Sequence, residues 1–432
     1  MSYRTGAGAF SVAVADLNGD GIPDLAVPNS YDSTITILAG QGDGTFIHAK
    51  TFRSCASVFW LAAGDLNGDG RIDLVATCRV GLARNIAVML NSPSGFLPPQ
   101  FYEDGFADGP NSVVVADFDE DGILDLMVSD AEICFLKGNG DGSFQPAQLY
   151  ASHGPTDSLV AADFNNDGHL DVAAGELSIG ADIFLGNGDG TFQPATAVGD
   201  PLKPASVAAG DFNRDGHLDL VLADEGKTVT TFLGNGDGTF QAPVTQEVGK
   251  GPRSVTVADF NGDGAVDIAV TIIEAGGVTV MYGRGDGTFP LLRQFSAGGG
   301  NAGSFGIASA DFNHDRASDL AVVDKDNHTV SVLLNSGGTF VTSTSSENPA
   351  PAGQPVTFTA TVAPSLISTI PTGSVTFADG TTILATLPLD QNGVASYTTS
   401  GLSTGTHTIR MKYSGDSNFN PNMGPPISEV IQ

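Results

Sequence analysis

Hydrophobic and polar positions alternate along this chain in short runs, and the runs return at a nearly constant interval. Ser11-Val12-Ala13-Val14-Ala15 leads into a polar loop, Asp24-Leu25-Ala26-Val27 leaves it, and Thr34-Ile35-Thr36-Ile37-Leu38 follows after a variable loop. A glycine turn, Gly40-Gln41-Gly42-Asp43-Gly44-Thr45-Phe46, then opens onto a fourth run. Short runs of this kind between turn residues read as strands, and no stretch of comparable length carries a helical apolar period.

The unit occurs seven times. The first Asp of its polar loop recurs after 49, 52, 46, 48, 48 and 52 residues. Four short antiparallel strands in about 48 residues, seven times over, predict an all-β fold, a seven-bladed β-propeller of four-stranded blades. The residue before each loop is small (Ala15, Gly64, Ala116, Ala162, Gly210, Ala258, Ala310), which suits a crowded innermost strand. Four before the loop stand aliphatics (Val12, Leu61, Val113, Leu159, Val207, Val255, Ile307), which suit the core between blades.

The polar loop places oxygen side chains at positions 1, 3, 5 and 9 with Gly at 6, the first part of a calcium loop. The sets are Asp16, Asn18, Asp20 and Asp24; Asp65, Asn67, Asp69 and Asp73; Asp117, Asp119, Asp121 and Asp125; Asp163, Asn165, Asp167 and Asp171. Three more follow: Asp211, Asn213, Asp215 and Asp219; Asp259, Asn261, Asp263 and Asp267; Asp311, Asn313, Asp315 and Asp319. All-oxygen coordination suits a hard cation, so up to seven Ca²⁺ are expected, one per blade. Blade seven departs, with Arg316 in place of the glycine. A bare acidic turn is disfavoured, because three carboxylates within nine residues repel unless a cation or a proton sits among them.

Charge agrees with this. The formal net charge is −31, and three Asp in each of seven loops account for 21 of the 49 acidic residues. Seven bound Ca²⁺ would bring −31 to −17. The 18 Lys and Arg are spread thinly, so a nucleic-acid surface is disfavoured. No apolar stretch is long enough to span a bilayer, and no signal peptide is legible after Met1. The three cysteines, Cys55, Cys78 and Cys134, lack a zinc spacing. Cys55 before the first strand of blade two and Cys78 at the end of its second share the end opposite the loop. A disulfide between them is expected in an oxidising compartment, the alternative being two independent buried thiols, with Cys134 free.

The second motif, Gly-x-Gly-Asp-Gly-Thr/Ser-Phe, starts at Gly40, Gly138, Gly186, Gly234 and Gly283 and is degraded at 91–96 and 335–340. Glycines permit positive φ, Asp caps the turn and Phe buries between blades. No helix or basic residue follows as a phosphate cradle requires. Arg284-Gly285-Asp286 is one copy of this turn rather than a recognition tripeptide. The histidines, including His169 and His217 at loop position 7, are assigned to turns or the surface.

Past Phe340 the composition changes. Residues 341–351 read as linker, and alternating strands follow at 356–362, 373–377, 395–399 and 407–413, with turns at Asp379-Gly380 and Asn392-Gly393. This predicts a β-sandwich of immunoglobulin size without a cysteine pair. The domains are then 1–343 and 344–432, and either Ser2 to Thr5 or Phe340 to Ser346 could supply the closing strand of the ring.

Loop and glycine turn together resemble the FG-GAP or VCBS repeat family, the calcium-bearing blades also found in integrin α-subunit heads, over roughly residues 8 to 343. That resemblance implies a seven-bladed propeller and adds a backbone carbonyl at position 7 to the calcium ligands. Gly373-Ser374-Val375-Thr376-Phe377-Ala378-Asp379-Gly380, Gly405-Thr406-His407 and Tyr413-Ser414-Gly415-Asp416-Ser417-Asn418-Phe419 resemble a bacterial Ig-like domain. Such domains are spacers or adhesive modules of exported proteins, which implies a secreted or cell-surface location.

A ligand site is expected where the repeat symmetry breaks. Five residues before each loop stand Ser11, Ser112, Ser158, Ser206 and Ser254, with Gly306 in blade seven and Trp60, the single tryptophan, in blade two. One earlier stand Phe10, Phe59, Asn111, Asp157, Ala205, Arg253 and Phe305. These positions begin the innermost strands, on the face opposite the acidic loops. Trp60, Phe59, Phe10, Phe305, Asn111, Asp157 and Arg253 therefore form the candidate binding set, an aromatic and polar funnel for a glycan or a surface protein. The competing arrangement has the aromatics packed between blades as a plug. The alternative function is a lyase-like polysaccharide enzyme on the same scaffold; no nucleophile elbow, zinc motif or acid pair outside the loops supports it.

Overall fold

The computed structural model describes residues 1–79, 85–105, 109–199, 203–297, 303–335, 339–364, 370–416, 419 and 422–432. Among these there are strands and turns and no helix. The chain divides into two compact units: 1–258 with 265–314 and 318–334, and 335–432 with 259–264 and 315–317. Parts of two sequence motifs, 336–338 of the degraded turn and Ser417 and Asn418, lie outside the described residues.

The first unit contains seven four-stranded antiparallel sheets. In blade one Ala13–Ala15, Asp24–Asn29, Thr34–Gly40 and Phe46–Arg53 pair in chain order. Blade two pairs Val58–Gly64, Asp73–Cys78, Ile86–Met89 and Gln100–Tyr102, and inserts a small hairpin of Asn91–Ser92 and Gly95–Phe96 in place of the glycine turn. The innermost strands touch in cyclic order, with Ser304–Ala310 of blade seven against Ala13–Ala15 of blade one. This is the sheet arrangement of a seven-bladed propeller.

The N-terminus supplies the outer strand of blade seven. Ser2–Arg4 pairs antiparallel with Thr329–Leu333, Tyr3 opposite Val330. Thr339–Ser345 instead pairs with Val356–Pro364 in the second unit. The linker expected at 341–351 is thus strand over its first residues. Its Ser and Thr read as linker composition, yet β-branched Val341, Thr342 and Thr344 suit a pleated edge.

The second strands are buried along their length, which explains their almost unbroken apolar runs. The core lies between sheets: Leu25 and Val27 of blade one pack with Val323 and Val330 of blade seven. Cys55 and Cys78 form a disulfide in the core between blades one and two, and Cys134 is free and buried.

The recurring serines join inner strands. Ser158 and Ser206 hydroxyls accept the N–H of Val207 and Val255 in the next blade, each at 3.2 Å, and Ser11 donates to the Phe59 carbonyl at 3.2 Å. Gly306 replaces serine for a steric reason: a Cβ there would lie 2.6 Å from Ser11 Cα and 2.7 Å from the Phe10 carbonyl oxygen.

In the second unit a three-stranded sheet, Thr339–Ser345, Val356–Pro364 and Val394–Thr399, accompanies a four-stranded one of Thr382–Pro388, Ser374–Asp379, Gly405–Tyr413 and Ile427–Ile431. Strict alternation puts Val356, Phe358, Ala360 and Val362 inward against Phe377, Met411 and Tyr413.

Gly306→Ala should lower the stability of the ring by about 1–3 kcal/mol, since the backbones of blades seven and one must separate to admit the methyl group. Thermal unfolding measures this; an unchanged melting temperature would mean that this joint carries no strain.

Candidate functional site

Each acidic loop folds around its first aspartate. Positions 4 and 6 are left-handed in all seven loops, with φ from 57° at Asn166 to 79° at Gly19 for position 4, and from 71° at Arg316 to 90° at Gly168 for position 6. Two left-handed residues turn successive N–H groups inward. Asp16 therefore accepts Gly19 N at 2.7 Å and Asp20 N at 3.1 Å on one oxygen, and Gly21 N at 2.7 Å on the other. Asn18 Oδ1 accepts Asp20 N at 2.8 Å, and Asp20 Oδ1 accepts Ile22 N at 2.9 Å. The same pattern holds Asp65, Asp117, Asp163, Asp211 and Asp259. These bonds gather the carboxylates toward the loop interior before any ion is considered.

The ninth-position aspartates are buried at 0 or 1 % exposure and have a second task. Asp24 accepts Leu17 N at 3.0 Å on one oxygen and Gly40 N at 2.9 Å on the other, so it ties the acidic loop to the start of the glycine turn. Asp125, Asp171 and Asp219 repeat the pair of bonds. Burial pushes these three carboxyls up to about 6, against the pull of their N–H partners and with help from the acids at positions 5 and 1. Burial raises Asp24 and Asp73 as well.

The glycine turn then reaches back to the preceding blade. Gly44, Gly142, Gly238 and Gly287 donate to the carbonyls of Phe312, Leu66, Phe164 and Phe212, each the second residue of the neighbouring acidic loop, at 3.0–3.1 Å. The turn phenylalanines pack edge-on against the same neighbours, Phe46 on Phe312 at 5.4 Å and Phe289 on Phe212 at 5.5 Å between centroids. Where the turn is degraded, an asparagine side chain makes the bond: Asn91 Nδ2 to Leu17 O at 2.8 Å and Asn335 Nδ2 to Phe260 O at 2.7 Å. Asp286 of the Arg284-Gly285-Asp286 turn accepts from Thr288 N and hydroxyl, the same structural cap as Asp43.

In blade three the carboxylate oxygens of Asp117, Asp119 and Asp125 lie within 4.8 Å of one another. The Lys137 ammonium is seated against Asp119, and against Asp121 at 2.9 Å, a cation that the spacing of the loop could not announce. The histidines at position 7 link neighbouring loops, His169 to Glu120 at 2.6 Å and His217 to Asn166 at 2.8 Å. Arg316 adopts the φ that glycine takes in the other blades. A Cβ at Gly21, Gly70, Gly122, Gly168 or Gly216 meets nothing within 4 Å, so only backbone preference opposes a side chain at this position.

At the other end of the inner strands the structure brings all seven candidate residues together. Phe10, Phe59, Trp60, Asn111, Asp157, Arg253 and Phe305 line one narrow funnel with a cavity of about 20 Å³, together with Arg79, Ala205 and Ser254. Phe10 lies 4.6 Å from Phe59 and 5.3 Å from Phe305 between centroids. Trp60 also packs against the core of blades two and three, so it serves both arrangements that the sequence left open.

The phenylalanine faces differ from the expected open platform because cations cover them. Arg79 stacks 3.8 Å from the Phe59 centroid, and Lys325 Nζ lies 4.6 Å from Phe10, 4.8 Å from Phe305 and 5.8 Å from Tyr31. Arg79 also donates to Asn111 Oδ1, while Asn111 Nδ2 donates to Asp157 at 2.9 Å and Thr156 O at 3.0 Å. Arg253 pairs with Glu225 at 3.1 Å. Burial pushes the Asp157 carboxyl up, opposed by Arg253 and Arg79, and burial lowers Arg79, opposed by Asp157.

Sequence reading missed Arg79, Glu225 and Lys325. A signal was present: each stands six residues past the last Asp of its loop, where the other blades have Ser30, Ala131, Leu177 and Ile273. Aligning the repeats at the end of the second strand, as well as at the start of the first, exposes the same break in symmetry.

Four-stranded blades carrying an acidic loop after the first strand and a glycine turn after the third define a propeller built of repeated blades. The FG-GAP-like repeat profile matches residues 16–76, 126–174, 179–222, 211–270 and 259–322, and the chain belongs to the FG-GAP-like repeat family. Residues 341–432 match the bacterial Ig-like domain of group 3. Comparison with curated proteins finds no match. The two families together fit an extracellular adhesion or recognition module. Among the described residues no helix is long and apolar enough to cross a membrane.

Gly21→Ala should cost about 1 kcal/mol, the preference of an L-residue against positive φ, and leave the loop folded. A loss of several kcal/mol in chemical denaturation would show that contacts as well as φ require glycine there.

Proposed function

We propose that this chain is a calcium-stabilised extracellular recognition module, secreted or displayed at the cell surface, that holds a glycan or a surface protein at the ring mouth away from its acidic loops. The observation that carries the reading is the convergence of the seven symmetry-breaking residues around one funnel. A scaffold requirement repeats around the ring, as the serine joints do; these residues do not repeat, yet they meet.

Calcium is supported by the chemistry of the loops. Asp16, Asn18, Asp20 and Asp24, and their equivalents, offer only oxygen donors, and the turns already point the first carboxylate inward. At Asp24, Asp73, Asp125, Asp171 and Asp219 each carboxylate oxygen accepts one N–H and keeps a lone pair for a metal. A divalent ion would also offset the burial, and the lesser repulsion by neighbouring acids, that lift Asp125, Asp171 and Asp219. All seven loops are assigned a site, that of blade seven included, because Arg316 keeps the loop backbone of the others. Without a Glu at position 12 the sites suit the abundant calcium outside cells.

Calcium at a hundredfold excess over Kd should add roughly 2.7 kcal/mol per occupied site. Melting of calcium-loaded and chelator-stripped protein should then differ by many degrees, and coincident curves would remove calcium from the proposal. Trp60→Ala tests the mouth on a glycan array and a panel of surface proteins. Lost binding with the fold retained supports recognition there, whereas a destabilised fold that still binds assigns Trp60 to the core alone.

A further inference from the structure

Neighbouring blades are joined on the acidic-loop side by pairs of rings. Phe46 of blade one meets Phe312 of blade seven edge-on at 5.4 Å between centroids, and Phe192, Phe240 and Phe289 meet Phe118, Phe164 and Phe212 at 5.8, 5.9 and 5.5 Å. In each pair one ring comes from a glycine turn and the other from the second position of the preceding acidic loop. The joint between blades one and two lacks the pair. Leu17 stands at the loop position, where blades three to seven have phenylalanine. The hairpin that replaces the glycine turn lays its Phe96 flat on Phe52 of blade one's outer strand, with centroids 5.1 Å apart and planes 19° from parallel. Asn91 keeps the backbone joint, Nδ2 to Leu17 O at 2.8 Å, but an amide does not fill the space of a ring. A cleft of about 830 Å³ lies here, with Leu17, Ile37, Ile72 and Phe96 among its walls. Its volume falls in the range of small-molecule sites. Its apolar walls forgo the ring contacts that the other joints make, and a ligand restores them.

The charges at the cleft indicate what the ligand carries. Lys50 and Arg71 line it, and both are exposed. Among the described residues neither has a carboxylate within 4.0 Å. The acids that line it, Asp16, Asp24 and Asp69, are in contrast engaged, and they are the residues assigned above to calcium. Asp16 and Asp24 accept backbone N–H groups on both oxygens, and Asp69 accepts Arg71 N at 2.9 Å. Lys50 crosses from the outer strand of blade one to the hairpin of blade two. Its Nζ lies 2.8 Å from the place of a Cβ on Gly95 and 5.9 Å from the Phe52 centroid. An apolar wall and a positive charge without a carboxylate partner therefore border the same space.

We infer that this cleft binds a small aromatic carboxylate, its ring against Leu17, Ile72 and Phe96 and its carboxylate on Lys50 and Arg71. The site lies on the acidic-loop side of the ring and does not rest on recognition at the mouth.

Ligand-observed NMR titration of the full chain with calcium present tests it, using 2-naphthylacetate, its primary amide, octanoate and the peptide acetyl-Gly-Gly-Phe. The amide keeps the rings without the charge, and octanoate keeps the charge without the rings. The peptide presents ring and carboxylate as a protein C-terminus would. 2-Naphthylacetate should bind, and the amide and octanoate should each bind about fivefold or more weakly. Lys50→Gln and Arg71→Gln should each weaken the acid about fivefold with the melting temperature retained, while Lys250→Gln, an exposed lysine paired with Glu274, should bind as the parent does. Leu17→Phe supplies the ring that five other loops carry, and it should abolish binding with the melting temperature held or raised. Equal binding of acid and amide, or unchanged binding in both cation variants, overturns the inference. Octanoate binding as tightly as the naphthyl acid overturns the aromatic assignment, and tighter binding of the peptide replaces the small molecule with a protein terminus. A folded Leu17→Phe protein that binds as the parent does places the ligand elsewhere and overturns the site, as does absence of binding by 2-naphthylacetate. If Leu17→Phe fails to fold, the comparison of acid with amide still decides.

Discussion

The ring depends on a carboxylate that is almost out of reach of water. The last aspartate of each acidic loop is buried, and Asp24, Asp73, Asp125, Asp171 and Asp219 each hold with their two oxygens the N–H of the loop's second residue and an N–H where the turn begins. An unpaired buried carboxylate is strongly unfavourable, so these bonds make the loop and the turn a single unit. The carbonyl of that same second residue accepts the turn of the next blade, for instance Gly142 N onto Leu66 O at 3.1 Å. Bonds within blades and bonds between blades therefore meet at one residue, and stability of the ring and geometry of the loops are coupled.

The exceptions clarify the rule. Blades two and seven lack an intact glycine turn, but Asn91 and Asn335 reach the required carbonyl with a side-chain amide. Blade seven replaces glycine with Arg316 and keeps the left-handed backbone. The joint tolerates different residues as long as one donor reaches one acceptor. Variation at the mouth is of another kind. Phe59, Asp157 and Arg253 occupy the same repeat position and differ in charge and size, because that position faces a funnel. The disulfide connects the two regimes: Cys55 stands a few residues before Phe59, and Cys78 directly before Arg79, so it clamps together the segments that bring aromatic ring and guanidinium into contact.

Periodicity made much of this legible. An acidic loop and a glycine turn at a nearly constant interval leave little choice but short strands in repeated sheets, since both motifs depend on local dihedral preferences. The seven mouth residues were also legible, because equivalent repeat positions occupy equivalent places in a ring. Composition misled at 341–345, where Ser and Thr suggested a linker but alternate as a strand with Val341 inward.

By itself, then, the sequence determined the repeated strands, the blade count, the acidic loops and the positions that ring the mouth, for these follow from local pattern and repetition. Only the tertiary structure decided which segment completes blade seven, since Ser2–Arg4 and Thr329–Leu333 lie at opposite ends of the repeat array and nothing local pairs them. The same holds for the chemistry of the mouth. Arg79 and Lys325 come from the ends of second strands in blades two and seven, and they meet Phe59, Phe10 and Phe305 only because blades seven, one and two are neighbours in space. Contacts between distant segments depend on how the sheets assemble, and no short-range pattern encodes the meeting of one side chain with another across that distance.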